Sequence, residues 1–247
     1  MRFLKLRTDY HPRKDGSRTV TPLVVDSPRK FAPSKERKEQ CLSKKRCLLI
    51  TGAHDSGKTR WLSRLRDEWQ AIWGSKIKAE PIWLGALSPV GSWVDNSAVA
   101  DWHDQQEKQR SEADPDYRLR LWDKLNQQQK ADILPEYLKD NGGLLFIDDA
   151  HRLSGRKLQI ARQCVISAKI WVITASQENR LAPNLRPVIE RREPQRTRLK
   201  TDASYDATSA AVWIMMLLAL GAGWWEISLV LGGLKMLGNG RNSARMD

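Results

Sequence analysis

The octapeptide Gly52-Ala53-His54-Asp55-Ser56-Gly57-Lys58-Thr59 constrains this chain more than any other feature. It fits G-x-x-x-x-G-K-[ST] without a mismatch, and each fixed position has a physical reason. The glycines let the backbone wrap closely and take positive φ where a turn needs it. The loop N–H groups then converge as an anion nest at the positive end of the next helix. Lys58 is expected to bridge the β- and γ-phosphates of a nucleotide as a point charge, and the Thr59 hydroxyl to ligate magnesium. His54 and Asp55 fill variable positions of the loop, and His54 reads as a solvent-facing residue.

The flanking sequence supplies the context such a loop needs. Cys47 to Ile50 is a short apolar run, as expected of a buried parallel strand. After the loop, Trp61, Leu62, Leu65, Trp69, Ile72 and Trp73 recur at helical spacing, with Gly74 as a stop. Pro81 to Leu87 reads as a second strand and Asp101 to Lys139 as mostly helix, interrupted at Pro115 and Pro135. Leu144 to Ile147 is a third strand, Leu158 to Ser167 a helix and Ile170 to Thr174 a fourth strand. Strands alternating with helices predict an α/β fold with a doubly wound parallel sheet, whose ligands sit beyond the carboxyl ends of the strands.

A second motif falls at such a strand end. Leu144-Leu145-Phe146-Ile147-Asp148-Asp149 is an apolar strand closed by two carboxylates. Beside a phosphate loop, the first is placed to hold magnesium. The second is placed to orient or deprotonate an attacking water. Asp148 is therefore the metal candidate and Asp149 the candidate base. At the end of the fourth strand, Thr174 and Ser176 are polar side chains within reach of a γ-phosphate or a lytic water.

At these residues the chain resembles the AAA+ ATPases and their relatives in the additional-strand P-loop class. Gly52–Thr59 is similar to Walker A, Leu144–Asp149 to Walker B, and Ile170–Ser176 to the sensor-1 strand. The phrase Ile147-Asp148-Asp149-Ala150-His151-Arg152-Leu153 resembles the Walker B region of transposon-encoded AAA+ helper ATPases. The resemblance covers about residues 46–199. It implies ATP and Mg2+ as ligands, hydrolysis of ATP, and a homo-oligomer in which a neighbour supplies an arginine finger. Arg191 or Arg192 stands in the corresponding place, with Arg186 in reserve. Three departures stand out: Asp149 replaces the usual Glu, the Arg-rich surroundings weaken the finger match, and an apolar segment stands where a helical lid is expected. A guanine-reading Asn-Lys-x-Asp motif is absent, which disfavours GTP.

The rest of the chain is read from composition. The formal net charge is +13, which favours polyanionic partners such as nucleic acid or an anionic membrane face. Residues 1–46 carry 14 Lys and Arg against five acidic residues. They read as a basic arm, strand-like only at Thr19 to Val25 and ending in a short helix over Ser34 to Ser43. Arg186 to Lys200 forms a second basic stretch. Ala210 to Leu237 is almost wholly apolar, with Glu226 and Lys235 its only charges. It is long enough for a membrane span only if Glu226 is tolerated. Trp224 and Trp225 mark an interfacial belt. The alternatives are a helical hairpin at Gly221–Gly223 or a buried helix pair. The three cysteines lack metal-ligand spacing and fit a reducing compartment. Met1 to Arg7 is too short and charged for a signal peptide's apolar region. The expected organisation is a basic arm (1–45), a P-loop ATPase domain (46–200), an apolar helical segment anchoring the protein to the inner face of a membrane (208–237) and a polar tail (238–247).

Overall fold

The computed structural model describes residues 2–9, 19–27, 38–114, 116–199, 214–218 and 221–224. The chain divides into two units, Met1–Thr201 and Asp202–Asp247.

The first unit opens on strands where composition suggested an arm. β1 (Arg2–Asp9), β2 (Thr19–Asp26) and β3 (Lys38–Cys41) form an antiparallel sheet in the order β1-β2-β3. The charges had hidden the period-2 pattern. In β1, Leu4 is buried and Leu6 half-buried, while Lys5 and Arg7 between and beyond them are exposed. Most of β2 is buried. Of the helix expected over Ser34 to Ser43, residues 34–37 lie outside the described residues, and Lys38–Cys41 pairs with Leu23–Asp26 as a strand.

The second sheet has five parallel strands. They are β4 (Leu48–Gly52), β5 (Ile82–Gly85), β6 (Leu144–Asp148), β7 (Ile170–Ala175) and β8 (Gln195–Leu199). Their order is β5-β6-β7-β4-β8. β8 was not legible in the Arg-rich stretch. Thr197 and Leu199 are buried while Arg196 and Arg198 alternate outward, so one polar face masks the strand. The connecting helices are α1 (Lys58–Asp67), α2 (Trp69–Trp73), α3 (Ser97–Ala113), α4 (Gln127–Asp140), α5 (Gly155–Ser167) and α6 (Arg186–Glu190). The run read as one helix from Trp61 to Trp73 is two, broken at Glu68. Pro135 sits inside α4.

Each face of the parallel sheet has its own core, as strand alternation requires. Leu49, Leu84, Leu145, Ile147, Trp171 and Ile173 face a cluster filled from α3, α4, α5 and α6. Leu48, Ile50, Leu144, Phe146 and Val172 face the other way, against Leu62 and Leu65 of α1, Ile72 and Trp73 of α2, and Leu4, Val20 and Val24 of the antiparallel sheet. Helices therefore lie on both faces, and the small sheet completes the second layer. Trp73 meets Phe146 edge-on, with ring centroids 6.1 Å apart.

In the second unit, Ile214–Leu218 is helical. Ile214, Met215, Leu217, Leu218 and Trp224 are exposed, and Met216 is buried. Among the described residues no helix is long and apolar enough to cross a membrane. Most of the apolar segment 208–237 and all of the tail 238–247 lie outside the described residues.

Candidate functional site

The loop after β4 has the backbone that its glycines require. Gly57 has φ 79° and Asp55 φ 59°, both in the left-handed region that favours glycine. A Cβ on Gly52 would stand 2.5 Å from the Ser56 Oγ, so a side chain there would jam the loop. The Lys58 side chain folds back into the loop. Its Nζ donates to the Gly52 carbonyl at 3.0 Å and the Ala53 carbonyl at 2.8 Å. Ser56 is buried, and its Oγ has no hydrogen-bond partner. His54 and Asp55 are solvent-facing and form an exposed pair at 3.1 Å.

These residues line an open cavity of about 320 Å³ together with one residue from another element. His54, Asp55, Gly57, Lys58, Thr59 and Arg60 come from the loop and α1, and Asp149 comes from the end of β6. Asp149 is brought there by its own backbone, which is left-handed at φ 52°, ψ 44°. Asp is one of the few non-glycine residues that adopt this conformation readily.

Thr174 holds that turn in place. Because β7 lies between β4 and β6, its end stands between the loop and the paired carboxylates. The buried Thr174 Oγ1 accepts the Asp149 N–H at 2.9 Å and donates to Asp148 Oδ1 at 2.7 Å. This placement differs from the expected contact with a γ-phosphate. The hydroxyl proton is already committed to Asp148, and the side chain has no exposed surface. Asp148 is half-buried and does not line the cavity; its Oδ2 accepts no hydrogen bond among the described residues.

Ser176 also acts through its backbone. Its carbonyl accepts the Gly52 N–H at 3.3 Å, and its N–H donates to His151 Nδ1 at 3.3 Å. Nothing in the sequence pattern assigns His151 a role. Partial burial pulls its pKa below the ordinary value against the pull of Asp149, and the nearby cations Arg152, Lys58 and Arg180 lower it further. A neutral ring suits an accepting Nδ1. Arg180, in the turn after β7, is a further cation near this end of the sheet that the sequence reading missed. The available signal was its distance from the strand end, not its residue type.

Arg191 and Arg192 are not brought to the cavity within the chain. Arg192 Nη2 donates to the carbonyls of Ile166 at 3.1 Å and Ala168 at 3.2 Å. These precede β7, so Arg192 lies at the opposite end of the sheet from the loop. Arg191 is exposed, and its side chain makes no hydrogen bond or ion pair among the described residues.

The donor set suits a nucleotide carrying a magnesium ion. Gly52 and Gly57 leave a backbone cradle, the buried Ser56 Oγ is unpartnered, and Lys58 already satisfies oxygen acceptors from the loop. Thr59 on the cavity wall and Asp148, which is not part of the lining, are the two metal candidates. Among the described residues there is no group of three or more His, Cys, Asp or Glu that could hold a metal alone.

No protein-family model matches the sequence, and no curated protein matches it. Among solved structures, the chain is similar to Thermomonospora curvata EccC (ATPases 2 and 3) in complex with a signal sequence peptide. The identity is 13%, the TM-score is 0.41, and the match covers 78% of this chain and 39% of that one. The chain therefore spans well under half the length of that protein.

Proposed function

We propose that this chain binds ATP with magnesium and hydrolyses it. The observation that carries the reading is the meeting of Lys58, Thr59 and Asp149 in one cavity, from two strand ends that are not sheet neighbours. In that arrangement the loop N–H groups and Lys58 bind phosphates, and Lys58 exchanges its two carbonyl acceptors for phosphate oxygens. Thr59 and Asp148 would hold the ion, which when bound neutralises charge on the phosphates. Asp149 is placed to orient a water and take its proton. Thr174 fixes the angle between the two carboxylates, and neutral His151 ties the same strand end to Gly52 through Ser176. The test is a pair of variants. Lys58→Ala should lose ATP binding, and Asp149→Asn should keep binding and lose turnover. If Lys58→Ala binds ATP as the parent does, the cradle is misassigned.

The finer reading is a nucleotide-switched assembly at a membrane. A trans arginine finger falls to Arg191 rather than Arg192, because the Arg192 guanidinium is occupied by two carbonyls. Turnover per chain should then rise with protein concentration and drop in Arg191→Ala. Membrane attachment through 208–237 is supported by the apolar run and by the exposure of Ile214, Met215, Leu217 and Leu218 on one short helix, since exposed apolar surface marks lipid or a partner. Flotation with anionic vesicles tests it: the full chain should float, and a chain ending at Asp206 should not. The soluble alternative, an ATPase that grips DNA phosphates through residues 1–46 and Arg186–Arg198, predicts binding that weakens steeply with salt.

A further inference from the structure

Two cavities meet along the outer strand β5, away from the nucleotide cavity and sharing no lining residue with it. One, of about 440 Å³, is bounded by Arg66, Asp67, Trp83 and Asp95; the other, of about 550 Å³, by Asp101, Trp102 and Tyr137. Trp69 and Glu80 line both, so the two form one groove.

Its chemistry is unlike the rest of the molecule. Trp69, Trp83 and Trp102 are half-exposed along its lining. Trp102 is braced edge-on by Tyr137 at 5.5 Å. The Tyr137 hydroxyl donates to the Glu80 carbonyl at 3.4 Å. Burial, and then the nearby Glu80 carboxylate, hold that phenol above its ordinary pKa. Asp67, Glu80, Asp95 and Asp101 bring four carboxylates against the two cations Arg66 and Lys78, in a chain whose net charge is +13. The carboxylates of Glu80, Asp95 and Asp101 form no ion pair or hydrogen bond among the described residues. One end of the groove already shows which cation suits it. The Arg66 guanidinium stacks over the Trp83 ring at 4.9 Å, beside Asp67 at 3.4 Å. The other end has the same components, Trp69 and Trp102 with Glu80 and Asp101, and its own cation is the exposed Lys78 ammonium, not a guanidinium.

We propose that this groove is a docking site for an arginine side chain presented by an extended segment of a partner protein, its guanidinium seated against Trp69 and Trp102 and paired with Glu80 and Asp101. A planar guanidinium matches both indole faces and carboxylates, which an ammonium does less well. A polyanion is excluded from the groove by the same carboxylates, so the site is separate in kind from the nucleotide cavity.

The probe is the blocked peptide Gly-Gly-Arg-Gly-Gly, with its citrulline analogue as an isosteric neutral control, titrated into the full chain and read by the tryptophan indole N–H resonances. Saturable shifts of the Trp69 and Trp102 resonances are expected at millimolar peptide, with none from the citrulline peptide. Glu80→Gln with Asp101→Asn changes only exposed carboxylates and leaves both indoles in place; it should weaken binding by about fivefold, the loss of two exposed charge contacts. Trp102→Phe keeps a ring and serves as the check on folding; it should weaken binding less. ATP affinity should be unchanged in both, so a failure here and a failure of the nucleotide reading are distinguishable. Equal shifts with citrulline, indifference to the double variant, or displacement of the peptide by self-association of the chain would each overturn the proposal.

Discussion

The two ends of the parallel sheet use the same residue types for opposite purposes. At the amino-terminal ends of the strands, cations and amides close the fold. Arg192 binds the Ile166 and Ala168 carbonyls, Arg46 donates to the Glu193 carbonyl at 2.8 Å, and the Ser43 N–H donates to Gln195 Oε1 at 2.7 Å. At the carboxyl-terminal ends, Lys58 also binds two carbonyls, but inside an open cavity with Asp149 on its wall. A cation that saturates main-chain acceptors with nothing opposite is structural. A cation that does so beside an open cavity and an unspent carboxylate holds its bonding capacity ready for a ligand. A site is thus marked by which bonds can be exchanged, not by which residues are present.

Removing Lys58 should separate the two ends most sharply. Lys58→Ala should weaken ATP binding by about a hundredfold by deleting a charge-assisted contact to phosphate. Its melting temperature should fall only modestly, by the cost of leaving the Gly52 and Ala53 carbonyls without the buried Lys58 donor. Titration calorimetry and a thermal melt read the two effects. A large loss of stability with binding intact would erase the distinction.

Glu107 supplies a buried carboxylate of the structural kind. Its Oε1 accepts from the Tyr117 hydroxyl at 2.9 Å and Arg110 at 3.1 Å, and its Oε2 accepts the Arg120 N–H at 3.0 Å. Burial alone would raise its pKa; the Arg120 N–H and the two side-chain donors outweigh that and hold it below the ordinary carboxylate value. The stabilisation is therefore present above the pKa of an unfolded Glu and is lost as pH falls through the lower folded value. Glu107→Ala should cost about 3 kcal/mol at neutral pH, flatten that acid dependence in denaturant melts, and leave ATP binding alone.

Asp149 should behave in the opposite way. Asp149→Asn should cut turnover by about a hundredfold with affinity and stability nearly unchanged, read by phosphate release and nucleotide titration. Thr174 is intermediate, since it is buried yet holds both carboxylates. Thr174→Val keeps the shape, should cost about 2 kcal/mol by leaving the Asp149 N–H unpaired, and should slow turnover through the loosened Asp149. Arg192→Ala should have the smallest effect, about 1 kcal/mol of stability and no change in ATP affinity. A collapse of turnover there at unchanged stability would return the finger role to Arg192.

The loop was legible because its geometry is local. Eight consecutive residues set the left-handed φ at Asp55 and Gly57 and the return of Lys58 to the loop carbonyls, and the apolar run before Asp148 fixed a strand end without knowledge of its neighbours. Strands Leu48–Gly52, Leu144–Asp148 and Ile170–Ala175 were readable for the same reason, since strands buried on both faces are continuously apolar. β1, β3 and β8 were not. Each is covered on one face at most, and its exposed charges dominate a short window. The sequence by itself determined where the glycine-bearing loop lies and which strand ends carry carboxylates. Only the tertiary structure decided that β7 separates β4 from β6, that Thr174 is spent on Asp148 and Asp149, that His151 joins the site through Ser176, and that Trp69, Trp83 and Trp102 share one groove with Glu80. Those relations join residues far apart in the chain, and strand order, not local propensity, sets which of them meet.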